Sequence, residues 1–190
     1  EHETIDPSAT EYKTENGSII YLNVYLTEPR PPYTPFKTYV VVKENGVYIA
    51  HCPSSNMNLS SGIAPIRKYL QMGLKMGLGS DVAGGHSESI FRAITDAIQV
   101  SKMYYRMVDE AYKPLVFSEA FYLATKGGGA FFGKVGSFEE GYEFDAVVMD
   151  DSVLPHPQSL NLAERMERAV YLGLDEKNIT AKFVAGRKIL

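Results

Sequence analysis

Between Thr38 and Gly133 short β-branched or aromatic runs alternate with helix-length amphipathic stretches, and this alternation restricts the fold more than any other property of the chain. Thr38-Tyr39-Val40-Val41-Val42 is an apolar run, Glu44-Asn45-Gly46 a turn, and Val47-Tyr48-Ile49-Ala50 a second run. A loop is expected next. Pro65 then opens a helix at a position where its missing N–H costs nothing, with Ile66, Tyr69 and Leu70 on one face. Lys75 to Asp81 reads as a short buried strand ending in an acid. A helix is expected from Ser87 to about Met107, carrying Ile90, Ile94, Ala97, Ile98, Ser101 and Tyr105 at helical spacing. Ser118 is expected to cap a further helix, interrupted at Gly127-Gly128-Gly129. Strand, helix, strand, helix in this order predicts an α/β protein with a parallel sheet.

The flanks differ in character. Residues 1–37 form a polar segment with a strand-like run at Ile19 to Leu26 and prolines at 29, 31, 32 and 35, and are left unassigned. Residues 134–190 read as a small β layer: a turn at Gly136 to Gly141, a strand at Asp145 to Asp150, a helix from about Ser159 to Tyr171 carrying Leu162, Met166, Ala169 and Val170, and a closing hairpin turned by Ala185-Gly186. Composition enters mainly as exclusion. A net charge of −4 without a basic stripe argues against nucleic-acid binding. Neither a membrane-length apolar run nor a signal peptide is visible, and Cys52 is the single cysteine, so a cytoplasmic, reducing setting is expected. The first residue is Glu1 rather than Met, which suits a processed chain or a piece of a longer one.

Three candidates for chemistry stand out. His51-Cys52 suggests a base and a nucleophile, but neighbours on a strand point to opposite faces, so the pair cannot act as a dyad. Gly128, Gly133 and Lys134 have phosphate-loop spacing, yet Val135 stands where a hydroxyl must ligate magnesium and the segment follows a helix. Asp81 is the stronger candidate. It closes a strand and is followed by small residues, Val82-Ala83-Gly84-Gly85, at the end of the strand where α/β proteins gather catalytic groups. A metal ligand, a general base and a helix cap are all open to it.

Four segments in order then carry a resemblance. His51-Cys52-Pro53-Ser54-Ser55-Asn56-Met57-Asn58-Leu59-Ser60-Ser61-Gly62 resembles the HCPTSN-x-x-L-x-SG segment of the amidohydrolase superfamily in its guanine deaminase branch. Gly77 to Gly85 is similar to that family's strand-eight signature G-x-G-[ST]-D-[VI]-x-[AG]-G, and Ser118 to Thr125 to its SxxEAFYLAT helix. Gly133 to Asp150 resembles the re-entry into the family's side domain, with Phe144 where Ala is usual. The resemblance runs from about Asn45 to the C-terminus. Val82 with Gly84-Gly85 favours the guanine branch over branches reading G-T-D-G-A.

The resemblance implies a partial (β/α)8 TIM-type barrel, its last strands and helices at residues 38–133, with a small β side-domain piece at 134–190. It implies zinc-dependent hydrolytic deamination of guanine to xanthine and ammonia, a step of purine catabolism, with Asp81 as both metal ligand and catalytic proton carrier. The family's His-x-His pair is missing, however. The histidines here are His2, His51, His86 and His156, and His51 matches a non-ligand position. A barrel of this kind takes roughly 250 residues, so the chain is expected to be an incomplete portion, inactive alone, that forms a homo-oligomer or pairs with a missing barrel half. The alternatives are a non-catalytic interaction domain, a deaminase of another purine or aminoheterocycle, or a new metal site from His51, His86 and Asp81.

Overall fold

The computed structural model describes residues 46–174 and 176–190. The strand-like runs at Ile19–Leu26 and Thr38–Val42 and the proline cluster lie outside them. Strand β1, Tyr48–His51, pairs in parallel with β2, Lys75–Leu78, in the register Tyr48↔Lys75 through His51↔Leu78. Two short helices connect them: α1, Pro53–Asn58, and α2, Ile66–Gln71. The expected α/β architecture with parallel pairing is therefore present, although the described residues form no closed barrel. Residues 53–58 correct the expected loop. Pro53 opens α1 for the same reason that a proline suits any first helical turn, because the N–H it lacks has no partner there.

Helix α3, Ile90–Met107, is the spine of the core. It begins at Ile90 rather than Ser87, because Ser89 is the cap and its Oγ accepts the Arg92 N–H at 3.4 Å. Ile94, Ala97 and Ile98 pack with Ile66, Tyr69 and Met76 in one apolar cluster. Tyr104, not Tyr105, turns inward, following Ala97 and Ser101 along the buried stripe, while Ile90 sits at the more open end. Ser101 Oγ donates to the Ile98 carbonyl and accepts the Leu115 N–H at 2.9 Å, which fastens the returning chain to the helix.

Helix α4, Phe117–Tyr122, runs into a π turn at Leu123–Gly127, and the rod stays helical through Gly129. Two expectations are corrected here. Val116, not Ser118, is the N-cap residue, and Glu119 supplies the capping oxygen by accepting the Val116 N–H at 2.9 Å. The glycines also do not interrupt the helix. A Cβ on Gly77 would lie 2.5 Å from Gly128 Cα, so they serve backbone-to-backbone packing of the rod on β2. Arg67 of α2 fixes the start of the rod with a bidentate pair to Glu119, 2.6 Å on each oxygen, and a bond to the Pro114 carbonyl.

The C-terminal elements are an antiparallel sheet, β3 (Ala146–Met149), β4 (Ile179–Val184) and β5 (Arg187–Lys188), and helix α5 (Leu162–Leu172). Ala185 and Gly186, at φ 47° and 76°, make the expected tight hairpin turn. Helix α5 starts at Leu162 rather than Ser159 because Asn161 and Glu164 form a reciprocal capping box. Val170 joins the core of Ile94 and Ile66, whereas Leu162, expected on the buried face, is exposed at the first turn. None of the described helices is long and apolar enough to cross a membrane.

Candidate active site

The loop from Gly79 to Ser89 leaves the C-terminal end of β2 and carries Asp81 and His86. Asp81 is exposed and has φ 46°; Ala83 follows at φ 92°. Non-glycine residues in this region persist only where their surroundings over-determine them, and such residues gather at functional sites. The surroundings are specific. The Gly85 N–H donates to the Asp81 carbonyl at 2.6 Å. Asn58 Nδ2 donates to the Gly84 carbonyl at 2.8 Å, and Ser54 Oγ accepts the His86 N–H at 3.2 Å while meeting His86 Nδ1 at 2.6 Å. A Cβ on Gly84 would stand 2.8 Å from Asp81 Oδ2 and 2.9 Å from Ser55 Oγ, so the glycine leaves the carboxylate room to rest where it does.

His51 and Cys52 part as expected. His51 shares the face of β1 with Ile49, which packs against the core, and burial lowers its pKa to about 4, leaving a neutral imidazole near pH 7. Its Nε2 is buried without a hydrogen-bond partner. Cys52 Sγ comes within 2.8 Å of where a Gly79 Cβ would be, and burial, helped by the Asp81 carboxylate, raises the thiol to about 11. A thiol held protonated is no nucleophile.

No group of three His, Cys, Asp or Glu side chains able to hold a metal ion occurs among the described residues. The conceivable set of His51, His86 and Asp81 is not assembled: His51 is enclosed in the core and His86 is engaged with Ser54. Asp81 alone offers hard oxygen donors, which suit zinc or magnesium but make one ligand, not a site. The described residues therefore do not fit a complete metal centre.

Residues 2–189 match the profile described as "Amidohydrolase family". The chain belongs to the amidohydrolase family. The match begins well before Asn45, so the resemblance extends further toward the N-terminus than the four motifs alone suggest. The guanine deaminase of Dictyostelium discoideum is 38% identical over 148 residues, which cover 74% of this chain and 32% of that protein. The crystal structure of guanine deaminase from C. acetobutylicum, with guanine bound in its active site, superposes with a TM-score of 0.76 at 51% identity, covering 81% of this chain and 36% of that one. A zinc-bound adenosine deaminase from Xanthomonas campestris, at 22% identity and a TM-score of 0.66, shares the fold. The chain thus spans about a third of the length of these relatives.

Asp81 was legible from sequence as an acid near a strand end, but it does not close the strand: β2 stops at Leu78 and Asp81 lies three residues further on, in the loop. Ser54 and Asn58 were not legible. They sit inside the first motif, but their role depends on α1, a helix that the apolar periodicity of six residues cannot announce.

Proposed function

We propose that this chain is the Asp81-bearing portion of a guanine deaminase, a hydrolase that converts guanine and water to xanthine and ammonia. The observation that carries the reading is the 51% identity to a guanine-bound guanine deaminase across a segment that includes the Asp81 loop. Within this reading β1 and β2 are neighbouring strands of a partial (β/α)8 barrel, residues 38–133 belong to the barrel and 134–190 to a side domain. Each of the two strands has a single neighbour among the described residues, which leaves an outer edge on both for pairing with the rest of a barrel or with a second copy. The setting is the cytoplasm, consistent with one unpaired cysteine.

Asp81 has two tasks in this proposal. It is one of the several donors that zinc requires, the others coming from outside the described residues. Its carboxylate also takes a proton from the attacking water and returns it to the departing amine, so that ammonia leaves as a neutral molecule. Exposure on an open loop leaves that carboxylate reachable. The test is Asp81→Asn in the complete enzyme. The amide keeps the shape but cannot accept a proton, so xanthine formation should fall by at least about a thousandfold. Retention of most of the turnover would remove Asp81 from the mechanism.

A further inference from the structure

We propose that Ser54 and Asn58 are positioning residues that set the orientation of the Asp81 carboxylate, through the backbone of Gly84 and His86. The proposal rests on the reading of Asp81 as a catalytic group. Its basis is a chain of contacts. Asp81 Oδ2 rests against the Gly84 backbone so closely that a side chain on Gly84 would collide with it. The Gly84 carbonyl is held by Asn58 Nδ2 at 2.8 Å, so displacing Gly84 displaces the surface on which the carboxylate lies. One residue further on, Gly85 closes a turn back onto the Asp81 carbonyl, and a Cβ there would overlap the Ser80 carbonyl oxygen.

Ser54 holds the far end of the same loop. Its side chain is buried beneath the loop, and its hydroxyl serves two bonds at once. The oxygen accepts the His86 N–H at 3.2 Å, and the same hydroxyl meets His86 Nδ1 at 2.6 Å. Both tethers come from α1, which is short but locked by Pro53 at its start and by its packing on α3. Asp81 and Ala83, at positive φ, lie just ahead of the first tether at Gly84. A loop in an unfavourable backbone conformation relaxes when its restraints are cut. A carboxylate displaced by about 1 Å loses on the order of a hundredfold in rate without losing substrate binding.

The experiment compares Asn58→Ala, Ser54→Ala and the conservative Asn58→Gln in the complete enzyme, with amide hydrogen exchange read at Gly85 alongside steady-state kinetics. Asn58 is exposed at the end of α1, so truncating it leaves the core intact. Asn58→Ala and Ser54→Ala should each speed exchange at Gly85 by about tenfold or more and lower kcat by roughly 10- to 100-fold with KM nearly unchanged. Asn58→Gln, which keeps an amide donor, should recover most of both. Wild-type exchange at Gly85 in the alanine variants overturns the proposal, as does a fall in kcat that is not accompanied by faster exchange. Asp81→Asn, run in parallel, separates the two readings: if it stays active, the catalytic assignment fails while the exchange data still judge the tethers.

Discussion

The two small sheets of this molecule are built for different surroundings. The parallel pair β1–β2 is covered by α2, α3 and the α4 rod, and its residues Ile49, Met76 and Leu78 sit in or against a single apolar core. The antiparallel sheet β3–β4–β5 is more open: Val147, Val148 and Val184 are exposed, and Phe144 packs edge-on against Phe183 and beside Phe138 at its margin. Parallel strands need cover on both faces, whereas an antiparallel sheet can present one face to water. The candidate chemistry follows the same division. His51 lies on β1, Ser54 and Asn58 on the helix that follows it and Asp81 on the loop that follows β2, so the candidate chemistry gathers at the C-terminal ends of the covered pair.

That contrast can be broken by substitution. Ile94→Ala, at a side chain with 1% exposure in the centre of the core, should cost about 2–5 kcal/mol in chemical denaturation of the full chain. A loss below about 1 kcal/mol would mean that the covered pair does not depend on this core. His51 gives the next effect. Its pKa falls from 6.5 to about 4 on burial, so the unfolded state binds a proton that the native state refuses. Stability is then full above pH 6.5 and is lost progressively as the pH falls toward 4, by about 3 kcal/mol in all. His51→Gln should flatten that slope; an unchanged slope would assign it to other groups.

Glu119 sharpens the comparison in the acid range. Hydrogen bonding to Arg67 holds its carboxyl below its usual 4.5, so the pair adds stability above that pH that disappears as the carboxylate is protonated. Arg67→Ala should remove this acid-range loss and cost about 1–3 kcal/mol near pH 7, since the Pro114 carbonyl also loses its donor. The smallest effect belongs to the open sheet. Val148→Thr should change stability by less than about 0.5 kcal/mol. A cost above 1 kcal/mol would mean that another surface covers β3.

Much of this arrangement can be read from the residues alone because it depends on local patterns. The order of strands and helices, the Ala185-Gly186 turn and the acid after β2 each follow from a few adjacent positions. What escapes is set by distant partners. Helix α1 was expected to be a loop because six residues are too few for periodicity to speak. The glycines at 127–129 suggested a break because the pressure that requires them comes from Gly77 on β2, some fifty positions away. Tyr104 faces inward instead of Tyr105 because the buried stripe drifts slightly around an 18-residue helix. Ser54 and Asn58 look like ordinary polar residues until the loop they hold is folded over them.

The central claim is that this chain brings Asp81 to a guanine-deaminating site whose remaining donors lie elsewhere. The most direct measurement is xanthine formation from guanine in the presence of zinc, by the purified 190-residue chain and by the chain supplied with the part of a guanine deaminase that it does not match. The account predicts no conversion by the chain alone and conversion once the two are combined. Steady guanine turnover by the isolated chain would contradict it.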